Sequence, residues 1–441
     1  MSQPNIDTII APASALGGGV AVIRASGPMA GTIYTQLTNK PLAAPRQAVL
    51  ARLMHPVSGK LLDSALALYF PNPNSFTGED VLELHVHGGR AVVDNVMKAA
   101  LSLDPTIRLA EPGEFSKRAY LNGKMDLTEA EAIADLVAAE TEAQADLALA
   151  QMGGALSDLY EKWREELVYL LAMLEAAIDF VDEEDVPQSL LDDTARKINA
   201  LMQQIDAHLT DNHLGERLRD GFMVAIIGAP NAGKSSLVNV LAKRDVAIVT
   251  SVAGTTRDIL EVPLNLAGYP VIVMDTAGLR ETDDLVEAMG IERARRRSEE
   301  ADVVVALFDA TAPRDEETLS RLDEHTIIVQ TKADLATKDS DDLAISVETG
   351  HNIDRLIARI AERIAALTIR KNPEIPLLTR ARHREAVSEA RDHLYRAQHN
   401  PQPELLAEDI RLATRALGRI TGRVDVEDLL DVIFSKFCIG K

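Results

Sequence analysis

The sequence holds a single cysteine, Cys438, so no disulfide can close within the chain and a cytoplasmic protein is expected. Positive charge is also short, with 46 Lys and Arg against 68 Asp and Glu and a formal net charge of −22. That balance excludes a phosphate-binding surface spread over the whole molecule. A nucleic-acid partner would need a local basic site or a second protein to hold it. Long apolar runs are missing. The stretch from Ala301 to Leu307 carries Asp302 inside it and falls far short of a membrane span, so no membrane association is expected. Met1-Ser-Gln-Pro4 shows no basic patch followed by an apolar stretch, and hence no sign of a secretion signal. No internal repeat or low-complexity tract stands out.

What is present is ordinary for a soluble globular protein: 46% hydrophobic and 26% charged residues. With 441 residues the chain is too long for one core, and two or three domains are expected. Residues 1–122 mix short β-branched runs with Gly, Pro and Asn punctuation, as in Val20 to Arg24, Leu66 to Phe70 and Val81 to Val86, an α+β signature. Over 123–215 the β signals vanish. Thr128 followed by Glu131 predicts a capping box, and helical runs follow through Leu167 to Ile178 and Ile198 to Leu209. The acidic segment Asp182 to Asp185 reads as a solvated loop rather than a metal site. Over 216–380 strands and helices alternate, the βαβ pattern of a parallel sheet, and 381–441 is helical again. The expected architecture is multidomain: an α+β domain, an all-α domain built from two separated segments, and an α/β P-loop domain inserted between them.

The inserted region carries the chemistry. A strand predicted over Met223 to Ile227 runs into Gly228-Ala-Pro-Asn-Ala-Gly-Lys-Ser235, and a helix follows from Ser236. This is G-x-x-x-x-G-K-S in the strand-loop-helix setting it requires. Gly228 and Gly233 let the backbone curl its N–H groups around phosphates, Lys234 neutralises the β and γ phosphates, and the Ser235 hydroxyl suits Mg²⁺. Downstream, Gly254-Thr-Thr-Arg-Asp258 places Thr256 to meet Mg²⁺ and sense a γ-phosphate. A strand over Val271 to Met274 ends in Asp275-Thr-Ala-Gly278, with Asp275 as the Walker-B acid and the Gly278 N–H facing the γ-phosphate. After Ile327 to Gln330 comes Thr331-Lys-Ala-Asp334, similar to the N-K-x-D guanine reader. Asp334 can accept from the base N1–H and exocyclic amine, which adenine does not offer together, and Ser346 opens the last loop against the base. Five motifs in this order imply a GTP-binding and GTP-hydrolysing domain.

Two positions depart from the usual pattern. Thr331 stands where guanine readers carry Asn, whose side chain can bridge the loop and also reach the base N7. Leu279 follows D-x-x-G, where Ras-like GTPases place a Gln that orients the attacking water. Another group must therefore position water. Arg257 and Arg280 are candidates for an arginine finger, although arginines in such loops are commonly just solvated.

With the flanking regions added, the chain resembles the MnmE (TrmE) family of tRNA-modification GTPases over essentially its full length. The resemblance is carried by Asp7-Thr-Ile-Ile10 with Gly18 to Arg24, Asn74-Ser-Phe-Thr-Gly-Glu-Asp80 with Val81 to Leu84, and Pro112-Gly-Glu-Phe-Ser116. Glu129 to Asp135 and the terminal Phe437-Cys-Ile-Gly-Lys441 complete it. It implies a homodimer with an N-terminal tetrahydrofolate-binding and dimerisation domain, a discontinuous helical domain and an inserted G domain. It also implies a partner, the FAD protein MnmG, joined in a heterotetramer. Together the two add an aminomethyl or carboxymethylaminomethyl group at C5 of wobble uridine 34 in certain tRNAs. A 5-formyl- or methylene-tetrahydrofolate supplies the carbon.

Carried over by position, the folate contacts would be Arg24, Glu83, Lys124 and Lys441. Glu83 without the family is a polar residue alternating with Leu82 and Leu84 on a half-exposed strand. His85 and His87 share a face of that strand, but no third metal ligand accompanies them. The family holds K⁺ in place of an arginine finger, here through the Asn231 side chain and the carbonyls of Thr250, Val252 and Thr255. Mg²⁺ would take Ser235 and Thr256. Glu287 matches the residue that orients water through a second water, a position otherwise read as a surface helix charge. Cys438 is either a catalytic thiol or an inert one in the tail. The expected GTP contacts are Gly228, Asn231, Ala232, Gly233, Lys234, Ser235, Ser236, Thr250, Ser251, Val252, Ala253, Gly254, Thr255, Thr256, Asp275, Thr276, Ala277, Gly278, Thr331, Lys332, Ala333, Asp334 and Ser346. The competing readings are a regulatory GTPase switch in ribosome assembly and a folate-dependent methyltransferase with a vestigial G domain. A simple switch needs neither the folate-like domain nor the Cys438-Ile-Gly-Lys441 tail, and a vestigial domain would not retain Lys234, Ser235, Thr256 and Asp275 together.

Overall fold

The computed structural model describes residues 7–179, 188–244, 261–275, 301–335, 342–369, 374–400, 402–424, 427–435, 437, 438 and 440. The chain is multidomain, α+β in its N-terminal part and α/β around a parallel sheet further on, with long helices in the second part. It divides into two compact units, Met1–Ala134 with Leu417–Lys441, and Asp135–Ala416.

In the first unit the chain runs β1 (Thr8–Pro12), β2 (Val20–Ser26), α1 (Ala30–Thr38), β3 (Val49–Met54), β4 (Leu61–Phe70), β5 (Val81–His87), α2 (Arg90–Leu101), β6 (Ile107–Leu109), α3 (Glu114–Leu121) and the start of α4 (Leu127–Ala138), whose residues from Asp135 on are grouped with the second unit. The strands form one sheet in the order β3-β4-β5-β2-β1-β6, antiparallel except for the β1–β6 pair. Period-two alternation sets its faces. Ala65, Ala67 and Tyr69 of β4 and Leu82, Leu84 and Val86 of β5 are buried, and share a core with Ile33 and Leu37 of α1 and Val93 and Val96 of α2. Glu83 and His85 alternate with these buried residues and so belong to the other face of the pleat. At the start of α4 the structure corrects the sequence reading. The reciprocal cap is Asp126 with Glu129: Asp126 Oδ1 accepts from the Glu129 N–H at 2.9 Å, and Glu129 Oε2 accepts from the Asp126 N–H at 2.8 Å. Thr128 lies two residues further on, within the first turn, and its hydroxyl donates to that same Asp126 carboxylate at 2.8 Å.

The second unit continues with α5 (Glu142–Met152), α6 (Ala155–Asp179), α7 (Gln188–Leu209), α8 (Leu214–Asp220), β7 (Phe222–Gly228), α9 (Lys234–Ala242), β8 (Glu261–Leu266), β9 (Tyr269–Asp275), β10 (Val303–Asp309), α10 (Glu316–Leu319), β11 (Ile327–Thr331), β12 (Leu343–Ala344), α11 (Ile353–Leu367), α12 (Ala381–His399) and α13 (Pro403–Thr421). The end of α13, from Leu417, and helix α14 (Glu427–Phe434) lie in the C-terminal stretch grouped with the first unit. Helices α6 and α7 meet through Tyr160, whose hydroxyl is 2.9 Å from His208 Nε2, and Trp163, which donates to Gln204 at 3.2 Å. Arg391 of α12 reaches Asp206 of α7 at 2.9 Å. The second sheet runs β12-β11-β10-β7-β9-β8, parallel throughout except for the edge strand β8. Strands β7 and β10 are buried almost continuously, as expected where helices cover both faces. Leu237, Val238 and Leu241 of α9 and Ile353, Leu356, Ile360 and Ile364 of α11 repeat at helical spacing and enter the core with Val224, Ile226 and Val305. The turn between β8 and β9 is tied to α5, where Ala143 N–H donates to Gly268 O at 3.1 Å.

Candidate functional site

The carboxyl ends of β7, β10 and β11 lie together at one edge of the parallel sheet. Leu307 pairs with Gly228, and Asp309 pairs with Thr331. Open α/β sheets bind ligands in the crevice outside those strand ends. Gly228 has φ +152°, and a Cβ there would stand 2.5 Å from the Leu307 carbonyl oxygen, so only glycine lets the chain leave β7 at this point. The loop then turns through Asn231 at φ +64° and enters α9, whose N-cap Gly233 supplies no side-chain cap. Uncapped N–H groups with the helix dipole behind them favour an anionic ligand. Lys234 is 8% exposed and donates to Gly228 O at 2.6 Å and Ala229 O at 2.9 Å, which holds its ammonium across the loop. Ser235 and Ser236 are exposed in the first turn.

The Thr331-Lys-Ala-Asp334 segment adjoins that loop directly. Thr331 is 1% exposed at the end of β11, and its hydroxyl donates to Ala232 O at 2.8 Å, with Phe308 O at 3.3 Å. A Cβ on Gly233 would touch Thr331 at 3.8 Å, ordinary packing distance. Lys332 has φ +57° and reaches Asp309 Oδ2 at 2.5 Å. Burial alone would raise the Asp309 carboxyl, but the Lys332 ammonium and the Thr311 hydroxyl and N–H outweigh it and hold it down at about 2. Ala333 N–H donates to Ile345 O at 3.0 Å, and Ser346, fully buried, donates its N–H to His351 O at 3.1 Å. Asp334 projects exposed from the same loop. Asp309 went unnoticed in the sequence, though an acid ending an apolar strand one register level from Lys332 was the available signal.

In the first unit Arg24 of β2 and Glu83 of β5 are register partners. Arg24 Nε and Nη2 donate to Glu83 Oε1 at 3.0 and 2.9 Å, and the guanidinium lies 5.3 Å from the Phe76 ring and 5.8 Å from the Phe115 ring. Both arginine bonds fall on Oε1, while Oε2 lies 3.5 Å from His85 Nε2. Close in sequence to both rings, Glu79 and Glu114 belong to a charge cluster centred on buried Arg118, which sequence reading missed because its members are far apart in the chain. Arg118, 3% exposed, contacts Asp7 at 2.9 Å, Glu114 at 3.0 Å and Glu79 at 3.2 Å. Burial works to raise Glu114, but Arg108, the Glu111 N–H and Arg118 keep it below the ordinary carboxylate range. Lys124 donates to Pro73 O at 3.0 Å and so touches the loop that carries Phe76. Gly113 N–H donates to Cys438 O at 3.4 Å, and Cys438 is exposed. Gly440 lies against Pro12, one residue beyond Ala11, which pairs with Arg24.

Two family models cover most of the chain: "GTP-binding protein TrmE N-terminus" over residues 8–124 and "MnmE helical domain" over 127–438. The protein named tRNA modification GTPase MnmE from Rhodospirillum rubrum is 51% identical, with 99% of this chain and 100% of that protein covered. Its namesake from Paramagnetospirillum magneticum is 50% identical over the same shares. The chain belongs to the MnmE family. A solved structure of a point variant of Era from Aquifex aeolicus bound to GDP·AlF4− is also similar, at 29% identity over 41% of this chain and 69% of that one, with a TM-score of 0.26.

Of the residues singled out above, Gly228, Asn231, Ala232, Gly233, Lys234 and Ser235 form one loop and helix start that meets Thr331 through Ala232 and Gly233, and Lys332 and Ala333 follow Thr331 in the chain. Arg24 and Glu83 meet directly, and Lys124 meets the loop beside them. Thr250, Ser251, Val252, Ala253, Gly254, Thr255, Thr256, Arg257, Thr276, Ala277, Gly278, Leu279, Arg280, Glu287 and Lys441 lie outside the described residues, as does the acidic segment Asp182 to Asp185. Asp275 closes β9, its backbone paired with Ile226 two residues before Gly228. Among the described residues no cluster of three His, Cys, Asp or Glu could hold a metal ion, and no helix is long and apolar enough to cross a membrane.

Proposed function

We propose that this chain is a potassium-stimulated GTP hydrolase whose turnover drives modification of wobble uridine 34 in tRNA, with a flavoprotein of the MnmG kind as partner. The observation that carries the nucleotide reading is the Thr331–Ala232 hydrogen bond, which joins a guanine-reading loop to a phosphate loop. Lys234 and the uncapped start of α9 bind the β and γ phosphates, and Asp334 selects guanine by accepting from N1–H and the exocyclic amine. Water attacks the γ-phosphorus, the bond to the β–γ bridging oxygen breaks, and GDP leaves with phosphate. Leu279 has no polar atom to hold that water, and Glu287 aligns it through a second water.

Ser235 and Thr256 suit Mg²⁺, with Asp275 as the Walker-B acid. Asn231, held at φ +64° at the crest of the loop, suits K⁺ together with the carbonyls of Thr250, Val252 and Thr255. Either cation supplies positive charge beside the phosphates when bound. In the first unit Arg24, Glu83, Lys124 and Lys441 hold the tetrahydrofolate, with Phe76 and Phe115 as flat apolar walls. That group supplies the one-carbon unit when bound. Domains are assigned as 1–122, 123–215 with 381–441, and 216–380, in a homodimer. The test is initial phosphate release in K⁺ and in Na⁺ at equal ionic strength. Faster release in K⁺ is expected, and equal rates remove the potassium assignment.

A further inference from the structure

Guanine presents two acceptors on its major-groove edge, N7 and O6, and a group that reads N7 must donate a hydrogen. Where guanine readers carry Asn, one amide supplies two N–H donors and a carbonyl acceptor. This chain has Thr331 there, whose hydroxyl offers a single proton. Its two neighbours in the structure, Ala232 O at 2.8 Å and Phe308 O at 3.3 Å, are carbonyl oxygens that can only accept. The proton is therefore committed to the phosphate loop. Thr331 is 1% exposed, so giving up that bond would leave a buried carbonyl unpaired, a costly exchange. The neighbouring Lys332 has its ammonium on Asp309 at 2.5 Å.

We propose that Thr331 keeps the structural half of the asparagine's work, the bridge to the phosphate loop, and gives up the reading of N7, so this site recognises guanine through its Watson–Crick edge alone. The inference rests on the guanine-site reading given above. It makes the chain indifferent to replacement of N7 by a C–H group, since 7-deaza-GTP presents the same N1–H and exocyclic amine to Asp334.

The experiment is titration of the full chain with GTP, 7-deaza-GTP and ATP, repeated on Thr331→Asn and Thr331→Val. Each comparison is a ratio within one preparation, so a partly unfolded variant still reports its selectivity. The native chain is expected to bind GTP and 7-deaza-GTP within about twofold of each other. Thr331→Asn gains a second donor and is expected to prefer GTP by roughly 2- to 10-fold over its 7-deaza analogue. Thr331→Val loses the bridge and weakens both guanine nucleotides together, with their ratio unchanged. A native chain that prefers GTP over 7-deaza-GTP by about fivefold or more overturns the proposal, as does a Thr331→Asn variant that stays indifferent. ATP binding as tightly as GTP overturns instead the guanine-site reading beneath it.

Discussion

At the scale of single residues, the nucleotide site divides its labour between groups held by the fold and groups presented to the ligand. Thr331, Lys332 and Lys234 are anchored on Ala232, Asp309 and the Gly228 carbonyl. Asp334 projects from the same loop with its side chain exposed. In the base-reading role proposed for Asp334, Asp334→Asn exchanges an acceptor for a donor opposite the base N1–H and amine, so preference should move toward xanthosine triphosphate. A mismatch of this kind costs about 1–3 kcal/mol, or roughly 5- to 150-fold in GTP affinity. Competition between the two nucleotides measures it, and unchanged GTP affinity would remove Asp334 from the base-reading role. Glu287→Ala belongs at this scale too. It should lower single-turnover hydrolysis by about 10²–10³ with little change in nucleotide affinity, because a water-positioning group acts in the transition state.

At the scale of elements, the strand-loop-helix run from β7 to α9 was legible because all its information is local: an apolar strand, two glycines and a helical pattern. Local patterns also mislead. Thr128 and Glu131 satisfy the capping-box spacing as well as Asp126 and Glu129 do, and only the hydrogen bonds show which pair closes the helix. Asp126→Ala should therefore destabilise the first unit by about 0.5–2 kcal/mol, and Asp126→Asn, which keeps an acceptor, should recover most of it in chemical denaturation. The partnership of Asp309 with Lys332 depends on the β10–β11 register, and the Arg118 cluster joins residues 7, 79, 114 and 118. Neither is written in a short window of sequence. The C-terminal tail is a further element fixed by a long-range contact. Gly440 has φ +98°, and a Cβ there would stand 2.1 Å from Pro12 O, so Gly440→Ala must displace the tail. The expected result is impaired tRNA modification with GTP turnover retained. Loss of both together would point to a folding defect instead.

At the scale of the whole molecule, a chain of net charge −22 that acts on tRNA has to concentrate its nucleic-acid contacts or share them with a partner. One compact unit holds the phosphate loop and the other the Arg24–Glu83 pair, and the central claim is that hydrolysis at the first is required for chemistry on tRNA. The most direct measurement is mass spectrometry of wobble nucleosides from a strain lacking this gene, complemented with the native chain or with Lys234→Ala. The native chain is predicted to restore C5-modified uridine, and Lys234→Ala, expressed to the same level, is predicted not to. Equal restoration by both would contradict the claim.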